Sequence, residues 1–164
     1  MSRIVIFGNS GSGKSTLAHT LCERHGLAHL DLDTIAWRPT TPPQRRPLAE
    51  SQQDIDAFIS AHTSTQGGWI IEGCYSDLLE LAAPSATDLV FLDLPIEDCI
   101  ANARARPWEP HKYPSKADQD ANLTMLIDWI GQYQSRQDGF SRTAHQQLFE
   151  SFTGNKVRYT SNRP

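Results

Sequence analysis

The spacing of apolar residues changes sharply along the first third of the chain. Residues 3 to 7, RIVIF, form a β-branched run closed by Gly8, which predicts a buried parallel strand. Beyond a glycine-rich stretch, Leu17, Ala18, Leu21, Cys22 and His25 recur at helical spacing and Gly26 follows, a helix ended by glycine. AHLDLD, residues 28 to 33, predicts a second strand with its acids at the carboxyl end. Residues 34 to 47 hold four prolines and the pair Arg45 and Arg46 and read as loop. Ile55, Phe58, Ile59 and His62 mark another helix, and GGWIIEG, 67 to 73, a third strand.

In the second half, residues 77 to 82 predict a short helix before Pro84, and DLVFLDLP, 88 to 95, a fourth strand closed by proline. A helix over 96 to 105 runs into PWEPHKYP, 107 to 114, whose three prolines predict an irregular segment. Leu123, Leu126, Ile127, Ile130 and Tyr133 form one apolar stripe, and Ala144, Leu148, Phe149 and Phe152 a second. KVRYT, 156 to 160, is a last short strand. Strands alternating with helices predict a parallel sheet covered on both faces, with ligands bound beyond the carboxyl ends of its strands.

Length and charge narrow this picture. At 164 residues one domain is expected over 1–164, with a lid segment around 107–117. A net charge of −4 makes no general positive field for nucleic acid or anionic lipid, so any anion site is local. The basic residues comprise 11 arginines and 4 lysines, a weak pointer to bidentate phosphate contacts. Cys22, Cys74 and Cys99 fit neither a disulfide framework nor a paired metal motif. Reduced thiols in a cytoplasm are expected, and no apolar run approaches the roughly 20 residues of a membrane span.

Gly8-Asn9-Ser10-Gly11-Ser12-Gly13-Lys14-Ser15 matches G-x-x-x-x-G-K-[ST], with a strand before it and a helix after it. In that context, the backbone amides of residues 11 to 16 point at a β-phosphate, Lys14 bridges β- and γ-phosphates, and the Ser15 hydroxyl ligates magnesium. The expected nucleotide-binding set is Gly8, Ser10, Gly11, Ser12, Gly13, Lys14, Ser15 and Thr16, with Arg104. Asp31 and Asp33, two apart on the expected strand, share one face. Asp31 is expected in the metal's water shell, and Asp33 as the carboxylate that receives the proton of an attacking hydroxyl.

Glu72 ends WII before Gly73, and Asp93 ends VFL. They compete for orienting magnesium, and Glu72 is preferred because the Gly73-Cys74-Tyr75 turn leaves room for a ligand. Arg106, at the base of the proline-rich segment, is the expected clamp on the transferring phosphoryl group, ahead of Arg104. Arg45, Arg46, Arg136 and Arg142 read as surface residues. Trp37, Tyr75 and Trp108 lie in loops near the expected cleft, as stacking partners for a substrate ring or as loop anchors. His111 and Cys99 lack partners at ligand spacing.

Across essentially its whole length the chain resembles the small nucleoside-monophosphate-kinase-like P-loop proteins, a group that includes adenylate, shikimate and gluconate kinases and the bacterial topology modulation proteins. IVIFGNSGSGKSTLA carries most of the match. LDLD resembles the D-x-D of shikimate kinases, LDTIAW the L-D-x-x-x-W of the topology-modulation group, WIIEG the strand of adenylate kinases that ends in aspartate and glycine, and Arg106-Pro107 the lid arginine and proline of shikimate kinases. The resemblance implies a three-layer α/β/α fold with a five-stranded parallel sheet in the order 2-3-1-4-5, and an adenine site at Thr160 to Arg163. After Gly73 there is neither a glycine triplet nor Phe-Pro-Arg, and the helix at 48 to 62 has no arginine, so the acceptors of those kinases are not implied.

The expectation is an ATP- and Mg2+-dependent phosphotransferase with an unidentified small-molecule acceptor, a monomer or weak homodimer with no membrane or nucleic-acid partner. A nucleotide-binding regulator with a macromolecular partner is the alternative. A polynucleotide or nucleoside kinase would want a basic groove, which the net charge disfavours, or a base-stacking pocket.

Overall fold

The structure is a computed structural model that describes residues 2–63 and 67–162; Arg163, at the end of the expected adenine segment, lies outside them. Five parallel strands, β1 (Ser2–Gly8), β2 (Ala28–Asp31), β3 (Gly68–Gly73), β4 (Asp88–Leu92) and β5 (Asn155–Tyr159), form one sheet. Its order is β2-β3-β1-β4-β5. That is 2-3-1-4-5 when the sheet's own strands are counted. A separate antiparallel ribbon, Trp37–Arg38 with Gln44–Arg45, intervenes in the chain between β2 and β3.

Alternation along the central strand sets the layers. Val5 and Phe7 of β1 point to one face with Trp69, Ile71, Leu89 and Phe91. There they meet α3 (Leu48–His62) through Ile55, α4 (Ser76–Ala82) through Leu78 and Leu79, and α7 (Arg142–Ser151) through Leu148. Ile6 points the other way with Ile70, Val90 and Leu92, onto α1 (Lys14–His25), α5 (Ile96–Ala105) and α6 (Lys116–Gly131) through Leu17, Ala18, Cys99, Ala103 and Ile130. Period-two strands buried on both faces give the expected three layers. Among the described residues no helix is long and apolar enough to cross a membrane.

Four local expectations are corrected. Strand β2 stops at Asp31, so Asp31 and Asp33 do not share a strand face. Leu32 takes helical dihedrals, φ −61 and ψ −23, and the helical turn α2 (Asp33–Ala36) begins after it. Leu32 is fully buried, and a Cβ on Gly73 would lie 2.9 Å from its own Cβ, so Leu32 packs over that glycine while the chain turns. The stretch 34 to 47 is not plain loop: it holds α2 and the ribbon, anchored where the Arg46 N–H donates to Ala36 O at 2.9 Å. Strand β4 ends at Leu92, although the Asp93 N–H still donates to Tyr159 O at 2.8 Å. The segment 106 to 115 is irregular as expected, but Lys116 and Ala117 belong to α6, whose start is capped by the Ser115 hydroxyl at 3.1 Å from the Asp118 N–H.

Candidate active site

The loop between β1 and α1 turns tightly at Gly11, φ +78, and Gly13, φ +91, both in the left-handed region. A Cβ on Gly11 would sit 2.4 Å from the carbonyl oxygen of Cys99, so α5 packs directly against the loop backbone. Side-chain amides pin the loop from two sides: Asn9 Nδ2 donates to Ile130 O at 3.2 Å, and Asn102 Nδ2 to Gly11 O at 2.8 Å. Lys14 Nζ lies back across the loop and donates to Asn9 O at 2.8 Å. Ser12 Oγ is buried and has no hydrogen-bond partner among the described residues. An orphaned hydroxyl beside left-handed glycines and a helix N-terminus is what a loop built to wrap phosphate oxygens should show.

Opposite the loop, β3 delivers Glu72, 2% exposed. The Ser15 hydroxyl donates to Glu72 Oε2 at 2.6 Å. His29 of β2 donates from Nε2 to the same oxygen at 3.2 Å. Burial works to raise the Glu72 carboxyl, but the hydrogen bonds from His29 and Ser15 and the charge of Lys14 hold it below the usual range. The bond to Glu72 in turn raises His29 against the effect of burial. No sequence pattern singled out His29; its position opposite Ile70 in register, two strand residues before Asp31, carries the only signal.

Asp31 and Glu72 are register partners on neighbouring strands. Asp31 Oδ1 accepts the Asp33 N–H at 2.9 Å. Burial first, then the charges of Glu72 and Asp33, raise its carboxyl. Asp31 thus supports the turn and makes no hydrogen bond to Ser15 among the described residues. Asp33 is half exposed and accepts the Tyr75 hydroxyl, which in turn accepts Trp37 Nε1–H at 2.8 Å. Burial and Asp33 raise the Tyr75 hydroxyl well above its ordinary value, which keeps it the donor. Lys112, which the sequence reading passed over, brings Nζ to 3.9 Å from Asp33 Oδ2.

Arg106 and Arg104 differ in what they line. A cleft of about 520 Å³ is lined by Gly11, Ser12, Gly13 and Thr16 of the loop, by Asn102 and Arg106, and by Ser161 and Asn162 after β5. Arg104 does not line that cleft; it lines a crevice of about 20 Å³ against Asn122, Leu123 and Leu126 of α6, which Arg106 lines as well. Asn102 of α5 and Arg106, the extended residue that follows the helix, both line the cleft, and Arg104 does not. The structure therefore does not bring Arg104 to the loop with the rest of the expected nucleotide set. Asn102, which also donates to Asn162 Oδ1 at 2.8 Å, takes its place beside the loop.

Asp93, the rival of Glu72, is bound elsewhere. It accepts Arg142 Nε at 2.9 Å and Nη2 at 2.8 Å, and Arg158 Nε at 2.8 Å. Burial opposes ionisation, but the two guanidinium groups hold the Asp93 carboxyl below the usual range. Of the other arginines expected at the surface, Arg45 pairs with Asp77 at 3.0 Å, Arg46 with Asp54 at 2.6 Å, and Arg136 with Asp138 at 2.5 Å while lying 3.5 Å over the Trp129 ring. Trp108 donates to Tyr113 O at 3.0 Å, and the three cysteines are free thiols.

Beneath the site, His145 is fully buried; its Nδ1 lies 2.7 Å from the Tyr133 hydroxyl and its Nε2 2.8 Å from Cys74 O. Burial pushes its pKa down to about 4 from 6.5. A histidine depressed in the folded state adds stability above its unfolded pKa, and that stability is lost as pH falls toward the folded value. The expected loss between pH 6.5 and 4 is about 3 kcal/mol. Urea midpoints across that range should fall in the wild type and flatten in His145→Gln; a flat wild-type profile would contradict the buried neutral ring.

The sequence matches the family described as AAA domain over residues 4–96. No curated protein matches the chain. Among solved structures, the fold is similar to an unliganded sugar kinase from Janibacter sp. HTCC2649, with TM-score 0.53, 17% identity, and coverage of 100% of this chain and 88% of that one. A gluconokinase from Sinorhizobium meliloti 1021 aligns with TM-score 0.43 and 17% identity over 92% of this chain and 97% of that one. Identities this low speak to the fold alone.

Proposed function

This chain belongs to the AAA-domain family, and from that premise we propose that it is an ATP- and magnesium-dependent phosphotransferase acting on a hydroxyl of a small-molecule acceptor. The bond of 2.6 Å between the Ser15 hydroxyl and Glu72 carries the reading. It joins the lysine-serine end of the glycine loop to a buried carboxylate on the neighbouring strand. Among the described residues no three His, Cys, Asp or Glu side chains form a metal cage. One hydroxyl and one carboxylate fit magnesium, which keeps most of its waters and takes its other ligands from phosphates. When bound, the ion supplies neutralisation of phosphate charge.

The chain's own residues supply the rest. The loop amides and the α1 N-terminus hold the β-phosphate, and Lys14 leaves Asn9 O for the β- and γ-phosphate oxygens. Ser15 and Glu72 hold the metal, with His29 fixing the carboxylate from behind. Arg106 neutralises charge on the transferring group from the cleft side, while Asp33 receives the acceptor's proton. Segment 106–115 is the lid that excludes water.

Two substitutions test this against the Asp93 alternative. Glu72→Gln should weaken magnesium-dependent ATP binding, measured by calorimetry, by roughly 10–100-fold and leave the fold intact. Asp93→Asn should lower the urea midpoint and leave nucleotide affinity unchanged. ATP consumption is then followed with polyols, hydroxy acids and nucleosides as acceptors. Turnover that no acceptor raises above the water background, with tight nucleotide binding retained, would replace the phosphotransferase by a nucleotide-binding regulator.

A further inference from the structure

Between α5 and α6, one carboxylate gathers the cations of the irregular segment. Glu109 lies 3.4 Å from Arg106 Nη1, 3.6 Å from Lys112 Nζ and 3.6 Å from His111 Nε2, with its side chain 18% exposed. Glu109 itself is fixed. Its carbonyl accepts the N–H groups of Lys112 and Tyr113 at 3.0 Å, closing a turn, and its own N–H donates to Gln119 Oε1 of α6 at 2.8 Å. Gln119 Nε2 holds the start of the segment through Pro107 O at 3.0 Å. The carboxylate is therefore anchored, and the cations come to it on long side chains.

Those pairs are loose. Charge-assisted N–H···O contacts close to about 2.7–2.9 Å when they are strong, as Asp93 achieves with Arg142 Nη2 at 2.8 Å. The contacts of Glu109 at 3.4 to 3.6 Å, and of Lys112 with Asp33 at 3.9 Å, fall short of that. Arg106 meanwhile lines the cleft floored by Gly11 to Gly13. Lys112 reaches both Glu109, at 3.6 Å, and Asp33, at 3.9 Å. Glu109 thus ties a cation that lines the cleft to one that stands beside Asp33.

We propose that Lys112 is a catalytic residue that, together with Arg106, contacts the phosphoryl group in transfer, and that Glu109 is an internal anion holding both cations until the terminal phosphate takes them over. This rests on the phosphotransferase reading above. In the transfer, the acceptor oxygen forms a bond to the γ-phosphorus as the bond to the β,γ-bridging oxygen breaks. The hydroxyl proton passes to Asp33, and ADP leaves with the bridging oxygen. Lys112 gives up no proton; its ammonium stabilises charge on the oxygens of the moving group. Displacing Glu109 costs binding energy that only a nucleotide with a terminal phosphate regains, so the lid closes on triphosphate in preference to diphosphate.

Affinities for magnesium-ADP and for the imido analogue of ATP, measured by calorimetry on the full chain, test this. Glu109→Gln should tighten the ATP analogue roughly tenfold and leave ADP unchanged, whereas Lys112→Ala should weaken the analogue by roughly the same factor, again sparing ADP. The double variant should bind the analogue more tightly than Lys112→Ala but more weakly than Glu109→Gln, because Arg106 is still freed, and Lys112→Arg should restore most of the affinity. Unchanged ADP binding reports an intact fold in each. Equal shifts for both nucleotides, or none, would overturn the role of Lys112 and leave the phosphotransferase reading standing. Failure of the wild type to bind either nucleotide, or a Lys14→Ala variant that binds both normally, would overturn both.

Discussion

Lys14→Ala will give a folded protein whose ATP turnover is lower by roughly 10²–10³-fold. The expectation of normal folding comes from what Lys14 touches: the partly buried lysine donates to Asn9 O at 2.8 Å. That carbonyl also accepts the Ser12 N–H at 3.2 Å, so it keeps a partner without the lysine. The expectation of lost turnover comes from where the side chain starts, at the first residue of α1, facing the loop. Its charge also reaches the Glu72 carboxyl and the Cys74 thiol, so the ammonium sits at the electrical centre of the site. Lys14→Arg should not rescue, because a planar fork is wider than the space an ammonium fills between phosphate oxygens. Single-turnover measurement with magnesium-ATP, beside a thermal melt, checks both halves; near-wild-type turnover would remove the lysine from the chemistry.

Gly11→Ala is expected to be the most damaging single methyl in the loop. Its φ of +78 disfavours any side chain, and the new Cβ would meet a backbone carbonyl, Cys99 O, at 2.4 Å. Neither the loop nor α5 can yield by rotating a side chain, so helix and loop must separate, at roughly 2–5 kcal/mol. Separation also breaks the Asn102 bond to Gly11 O and opens the cleft. Gly13→Ala is the control: φ is +91, but nothing lies within 4 Å of its Cβ, so it should cost only roughly 1–2 kcal/mol of backbone strain. Urea unfolding of the two variants should rank them in that order, and equal losses would mean that α5 does not press on the loop.

What could be read from sequence follows from how local each signal is. The strand, glycine loop and helix over residues 3 to 25 are specified by neighbours in the chain, and they form as expected. Glu72 was preferred over Asp93 for the room in the turn after it, and it is Glu72 that meets Ser15. Asp33 was misplaced on a strand because AHLDLD alternates well. The deciding contact, Leu32 over Gly73, spans 41 positions that no period covers. Arg106 is expected ahead of Arg104 from its place at the base of the proline-rich segment, and of the two it is Arg106 that lines the cleft. His29, Asn102, Glu109 and Lys112 were missed for one reason: each matters through a partner on another element.

The Asp93 ion pairs bear on inheritance. The family match ends at residue 96, yet Asp93, three positions before that limit, takes its partners from Arg142 and Arg158. His145 likewise reaches back to Cys74 O and lies against the Phe7 and Phe91 rings. Cutting the chain where recognisable ancestry stops would strand a carboxylate without its cations and bare an aromatic core. The part that the family match covers is therefore smaller than the part that packs as one core, and the residues after 96 supply the cations and rings that close the glycine-loop half from behind.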